Sequence, residues 1–75
     1  MLTIGQAMRK ARKNKRIPQV KLSELTGIRQ SLLSLYEHDK ITPSIITVIS
    51  IAEALKITLD DLVGRSIPGD SREKM

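Results

Sequence analysis

The chain has 75 residues, with 13 Lys and Arg against 8 Asp and Glu (net charge +5), one His, one Tyr, and no Cys, Trp or Phe. That is one domain's worth of chain, burying only about 60% of its unfolded surface, and with no thiol and one His it has neither a disulfide nor a zinc cluster to brace it, so the core rests on aliphatic packing, with or without a partner subunit. There is no membrane-length apolar run, secretory h-region or lipidation signal, and one aromatic makes no stacking platform for single strands; the composition asks for a polyanionic partner, and the lack of Cys fits a cytoplasmic setting.

Five short helical segments follow one another. The first covers about Thr3–Asn14, with Ile4, Met8 and Ala11 as an apolar stripe and Arg9, Arg12, Lys13 and Arg16 on another face. Pro18 restarts the chain for a second helix over about Pro18–Leu25, with Val20, Leu22 and Leu25 as apolar positions; Thr26-Gly27 stops it, since Gly accepts the positive φ of a helix end. The third helix spans about Arg29–Glu37, with Ile28, Leu32, Leu33 and Tyr36 able to face inward, and Pro43 holds the next stretch as loop. Residues 45–51 are β-branched almost throughout and read as a strand on propensity alone. Pro43-Ser44 as a helix start, the 3.6 period of Ile45, Val48, Ile51, Ala52 and Leu55, and the lack of a second strand to pair with favour a helix over Ser44–Leu55. Thr58 caps a last short helix, with Asp60 and Asp61 at its positive end, and Gly64 ends it. The expectation is an all-α domain over residues 1–65 and a flexible tail over 66–75.

The charge is segregated. Residues 1–16 carry six basic side chains and no acid, so the rest of the chain is close to neutral. Such a block is either a contact surface or a solvated helix face. The segment Gln19–Glu37 supplies the context: two short helices joined by a tight turn at Gly27, the spacing of a helix-turn-helix. Leu22, Leu25, Ile28 and Leu33 would fix the angle between the two helices. Arg29, Gln30, Ser31 and Ser34 would then project donors and acceptors of the kind that read base edges.

At this point the sequence resembles the lambda-repressor/Cro-like helix-turn-helix family. Ile4-Gly5, Met8-Arg9 and Arg12 look like its first helix. Gln19, Leu22, Gly27, Ile28, Ser31, Leu33, Tyr36-Glu37 and Lys40 match the helix-turn-helix and following loop, and Pro43-Ser44, Ala52, Ala54-Leu55, Leu59 and Asp61-Leu62 match the last two helices. The resemblance implies five helices, binding to double-stranded DNA, and usually a homodimer on a palindromic operator. Residue by residue, it implies a phosphate contact and a brace of the third helix from Gln19, a base contact from Gln30 (adenine suits a glutamine), a base or phosphate contact from Ser31, and a phosphate contact from Lys40. It also implies a partly buried salt bridge between Arg12 and Glu37 as a structural pair. Phosphate contacts fall to Gln19, Lys40, and Arg12 or its basic neighbours.

Several positions depart from the pattern. Arg29 replaces a capping Ser or Thr and puts a cation at the groove, against guanine or phosphate. Leu35 stands at a usually polar position and either packs on a thymine methyl or is simply exposed. Ser23 replaces Ala, and Asp39 and Lys56 replace Gly, Asp39 bringing an acid near the DNA side of its loop. Ile46 and Ile49 exceed what one buried stripe needs; they are either core or, with Leu59, a dimer patch. His38 reads as solvent-exposed and Tyr36 as packing. No nucleophile–base set, metal cluster or phosphate loop is present, so no enzyme and no cofactor is expected. The expected function is a sequence-specific transcriptional regulator, most simply a repressor: a phage repressor, a restriction–modification controller or an antitoxin all fit. The alternative is a protein-interaction module that keeps the fold with weak or no DNA binding and meets a toxin or another protein.

Overall fold

The computed structural model describes residues 2–63 as five helices: α1 Ile4–Asn14, α2 Gln19–Thr26, α3 Gln30–Glu37, α4 Ile45–Leu55 and α5 Leu59–Val63. The expected stop at Gly64 and the expected tail lie outside the described residues. The ambiguous segment is helical, as its period predicts. No strand is present among the described residues, so the β-branched side chains of α4 have no ladder to join.

Each start has a chemical reason. Thr3 caps α1 through a reciprocal box: its hydroxyl accepts from the Gln6 amide at 3.0 Å, and the Gln6 side chain accepts from the Thr3 amide at 3.0 Å. The Ser44 hydroxyl accepts from the Thr47 amide at 3.2 Å and opens α4. Thr58 and Asp61 repeat the reciprocal arrangement at α5, with Asp61 N donating to Thr58 Oγ1 at 3.0 Å and Thr58 N to Asp61 Oδ2 at 3.2 Å. Pro18 and Arg29 flank α2 and α3 without side-chain caps. The helix ends use left-handed residues: Gly27 at φ 76°, and, less comfortably, Arg16 at 59°, Asp39 at 60° and Lys56 at 59°. The last three are positions where a glycine would carry no Cβ penalty.

The core is aliphatic. Ala7, Met8 and Ala11 of α1, Leu22 of α2, Leu33 and Tyr36 of α3, Val48, Ile51, Ala52 and Leu55 of α4, and Leu62 of α5 are buried together. Leu25 is a correction to the sequence reading: it is 49% exposed, and Val20 is also exposed. On α2 the inward stripe is Gln19, Leu22, Ser23 and Thr26, spaced three and four apart, and Leu25 falls on its flank. The turn is therefore held partly by polar bonds. Ser23 Oγ donates to the Ile28 carbonyl, Thr26 Oγ1 donates to the Leu22 carbonyl at 2.8 Å, and the Ile28 amide donates to Thr26 Oγ1 at 3.1 Å. Among the described residues no helix is long and apolar enough to cross a membrane.

Candidate nucleic-acid interface

The site is built outward from a buried bracket. Arg12 projects from α1 toward the end of α3. Its Nε donates to Glu37 Oε2 at 2.7 Å and its Nη2 to Glu37 Oε1 at 3.0 Å, a two-pronged pair. Its Nη1 donates to the Ile17 carbonyl at 2.9 Å in the α1–α2 connection. Gln19, at the start of α2, completes the set: its Nε2 donates to Glu37 Oε1 at 3.0 Å. One carboxylate thus ties three helices. Each nitrogen of the guanidinium is engaged and the residue is buried, so Arg12 cannot also reach a phosphate. The other basic side chains of the first sixteen residues, Arg9, Lys10, Lys13, Lys15 and Arg16, are exposed.

A second contact fixes the same end of α3. A Cβ on Gly5 would lie 2.2 Å from the Tyr36 carbonyl oxygen and 2.6 Å from Asp39 Oδ1, so α1 and the end of α3 approach as closely as backbone allows. Thr3 Oγ1 donates to Asp39 Oδ2 at 2.8 Å. The acid that the sequence left near the DNA side of the loop is thus drawn back to the start of α1, where the helix dipole favours it.

With Leu33, Tyr36 and Glu37 turned inward, α3 presents its other side to solvent. Gln30, Ser31, Leu35 and His38 are exposed and Ser34 is half-buried. Ser31, Leu35 and His38 follow at steps of four and three, as do Ser31, Ser34 and His38, so they share one face; Gln30 adjoins it one turn before Ser34. Arg29 stands exposed just ahead of the helix. Leu35 is 39% exposed and lines, with Ile28, Arg29, Ser31 and Thr47, an open hollow between α3 and the start of α4. Lys40 is exposed in the following loop, its amide donating to the Leu35 carbonyl at 2.9 Å. The outer face of α1 carries Arg9, Lys10 and Lys13 with Gln6 and Asn14 around a shallow depression.

The sequence reading missed the role of Ser23, whose bond to the Ile28 carbonyl joins α2 to the turn, and that of Asp39. The Asp39 contact spans 36 residues and has no local signal, whereas the Ser23 bond closes within five. The capping box at Thr3 had a signal, Thr-x-x-Gln, that a search for caps finds.

Comparison with known proteins bears on the family and the fold. The helix-turn-helix family pattern matches residues 8–62. An immunity repressor protein of Bacillus phage phi105 is 35% identical over 63 residues, covering 84% of this chain and 44% of the repressor, so the chain spans less than half of that relative's length. The restriction-modification controller protein C.AhdI from Aeromonas hydrophila superposes with a TM-score of 0.76 at 29% identity, over 79% of this chain and 89% of the controller. The P22 c2 repressor protein, solved in complex with synthetic operator 9T, superposes with a TM-score of 0.75 over 93% of this chain and all of that one; at 24% identity it speaks for the fold alone. The chain belongs to the lambda-repressor/Cro-like helix-turn-helix family, a family of DNA-binding transcription regulators and not of enzymes.

Proposed function

We propose that this chain binds a palindromic operator as a homodimer and represses transcription by covering a promoter. The observation that carries the reading is the contrast between the two sides of α3. One side is locked by the Arg12–Glu37–Gln19 bracket, and the other leaves Gln30 and Ser31 exposed, with Ser34 half-buried beside His38 and Arg29 ahead of them. Gln30 reads an adenine through N6 and N7, Ser31 and Ser34 touch base edges, and Arg29 meets guanine or phosphate. Leu35 packs on a thymine methyl at the hollow beside Thr47. Gln19 keeps one Nε2 hydrogen for phosphate while the other holds Glu37. Lys40, Arg9, Lys13 and Arg16 supply cations to the backbone on either side.

Self-association rests on α4. Ile46 is 74% exposed, and Ile45, Ile49 and Ile41 are exposed near it, an apolar surface that a second copy would cover. Leu59 packs against the core and contributes less to that surface than the sequence suggested. Two copies related by a twofold axis would set their α3 helices about 34 Å apart, one turn of duplex. The names of the similar proteins, an immunity repressor, a restriction–modification controller and a repressor crystallised on an operator, support the reading.

A second reading, a module that binds a toxin or other protein and little DNA, draws on the same exposed isoleucines. Selection of duplexes from a random pool separates the two. An enriched palindrome whose affinity falls steeply with salt supports the regulator; a pool that stays random supports the module.

A further inference from the structure

The turn that follows α3 is closed by backbone. The Asp39 amide donates to the Tyr36 carbonyl at 3.1 Å, and the Lys40 amide donates to the Leu35 carbonyl at 2.9 Å. Within it Asp39 takes φ 60°, a left-handed conformation that glycine adopts more easily than any residue with a Cβ. A carboxylate is also ill suited to a place beside a polyanion. Glycine would remove both liabilities, so an aspartate here calls for a role that its side chain performs.

That role is visible in its contacts. Asp39 Oδ2 accepts from Thr3 Oγ1 at 2.8 Å, across 36 residues of chain. The same hydroxyl accepts from the Gln6 amide at 3.0 Å, and the Gln6 side chain closes the capping box, so the far end of the link is the fixed first turn of α1. Asp39 Oδ1 lies over Gly5, 2.6 Å from where a Cβ would stand. The carboxylate is thus seated on α1 by both oxygens. Lys40, the next residue, is exposed.

We propose that Asp39 is a positioning residue: by bonding Thr3 it ties the turn to the start of α1 and so directs the adjacent Lys40 ammonium to a backbone phosphate of duplex DNA. The inference rests on the reading of Lys40 as a phosphate contact. A lysine ammonium ends a flexible four-carbon stem, so the direction in which the stem leaves the backbone decides how many of its rotamers reach one phosphate. A turn free to swing would spread those rotamers into solvent and release fewer counterions on binding. Asp39 therefore acts on affinity with two opposite signs: its charge repels phosphate, and its bond to Thr3 aims Lys40.

The test separates the two. The affinity of the full chain for a mixed-sequence duplex of about 20 base pairs is measured across salt for the wild type, D39N, D39G, T3V and T3S, and for D39N and D39G combined with K40A. Circular dichroism confirms that each is folded. D39N and D39G carry the same charge and both tolerate the left-handed backbone, but only the amide oxygen of D39N still accepts from Thr3. D39N is expected to bind as tightly as the wild type or more tightly. D39G should bind about threefold or more weakly than D39N, with a salt slope lower by as much as about one unit. T3V should lose affinity as D39G does, and T3S should keep it. Combined with K40A, D39N and D39G should bind alike, since the contact they differ in directing is gone. A D39G as tight as D39N, a T3V as tight as the wild type, or a gap between D39N and D39G that survives K40A overturns the assignment of Asp39. A K40A that binds as the wild type does, with an unchanged salt slope, overturns the reading of Lys40 on which it rests.

Discussion

The junction of α1 with α3 and the outer face of α4 invert each other's chemistry. At the junction a carboxylate and a guanidinium are buried and paired, and the half-buried Gln19 amide donates to the same carboxylate. On α4, isoleucines stand in water a short distance from a well-filled aliphatic core. The first inversion is stable because each nitrogen of the Arg12 guanidinium donates to an acceptor; half of such a pair left alone would be a desolvated charge. The second gains nothing for the isolated chain. Polar groups inside fix geometry at the cost of tolerance, and apolar groups outside mark a surface whose energy is realised only on association.

The comparison can be broken most severely from the junction. Glu37→Ala leaves the Arg12 guanidinium buried without its carboxylate, and a loss of about 3–5 kcal/mol is expected, enough to unfold much of a domain this small; urea unfolding of the variant reads it directly. Replacing both members, R12M with E37L, should cost less than the single change, since no orphan charge remains. Gly5→Ala comes next. The added methyl meets a backbone carbonyl that cannot swing away, and a cost of about 1–3 kcal/mol, or somewhat more, is expected in the same measurement. Were Gly5→Ala neutral, the tight approach of α1 to α3 would not be a constraint.

The isoleucine face responds in the opposite way. Ile46→Lys should leave the unfolding free energy of the monomer within about 0.5 kcal/mol and shift the sedimentation of the chain from dimer toward monomer. A dimer of undiminished affinity would remove this face from the interface. The smallest effect is expected at the end of α4. Lys56→Gly relieves a left-handed residue at φ 59° and should gain about 0.5–1 kcal/mol, read as a modest rise in melting temperature.

The helices were legible in the sequence because their signals are local. Gly27, Ser44 and Thr58 mark turns and caps by chemistry that operates within four residues, and the period of Ile45, Val48, Ile51 and Leu55 outweighs the strand propensity of the same stretch. The groove-facing candidates could be proposed because family resemblance and helical spacing coincide there. What could not be read depends on where a neighbouring helix lies. Leu25 looks like core until α2 is seen to turn Gln19, Ser23 and Thr26 inward. Asp39 looks like an acid beside DNA until Thr3, 36 residues earlier, is found bonded to it. Arg12 and Glu37 are legible as a pair through the resemblance, and what the neighbouring chain adds is the Ile17 carbonyl that accepts from Arg12 Nη1.

The central claim is that the free side of α3 reads sequence while the loop and α1 only grip the backbone. The most direct test compares Gln30→Ala with Lys40→Ala on a selected duplex and on a random one. Gln30→Ala should weaken the selected duplex by about 1–3 kcal/mol and leave the random duplex nearly unchanged. Lys40→Ala should weaken both alike and lower the salt slope by about one unit. Equal losses on the two duplexes for Gln30→Ala would contradict the account.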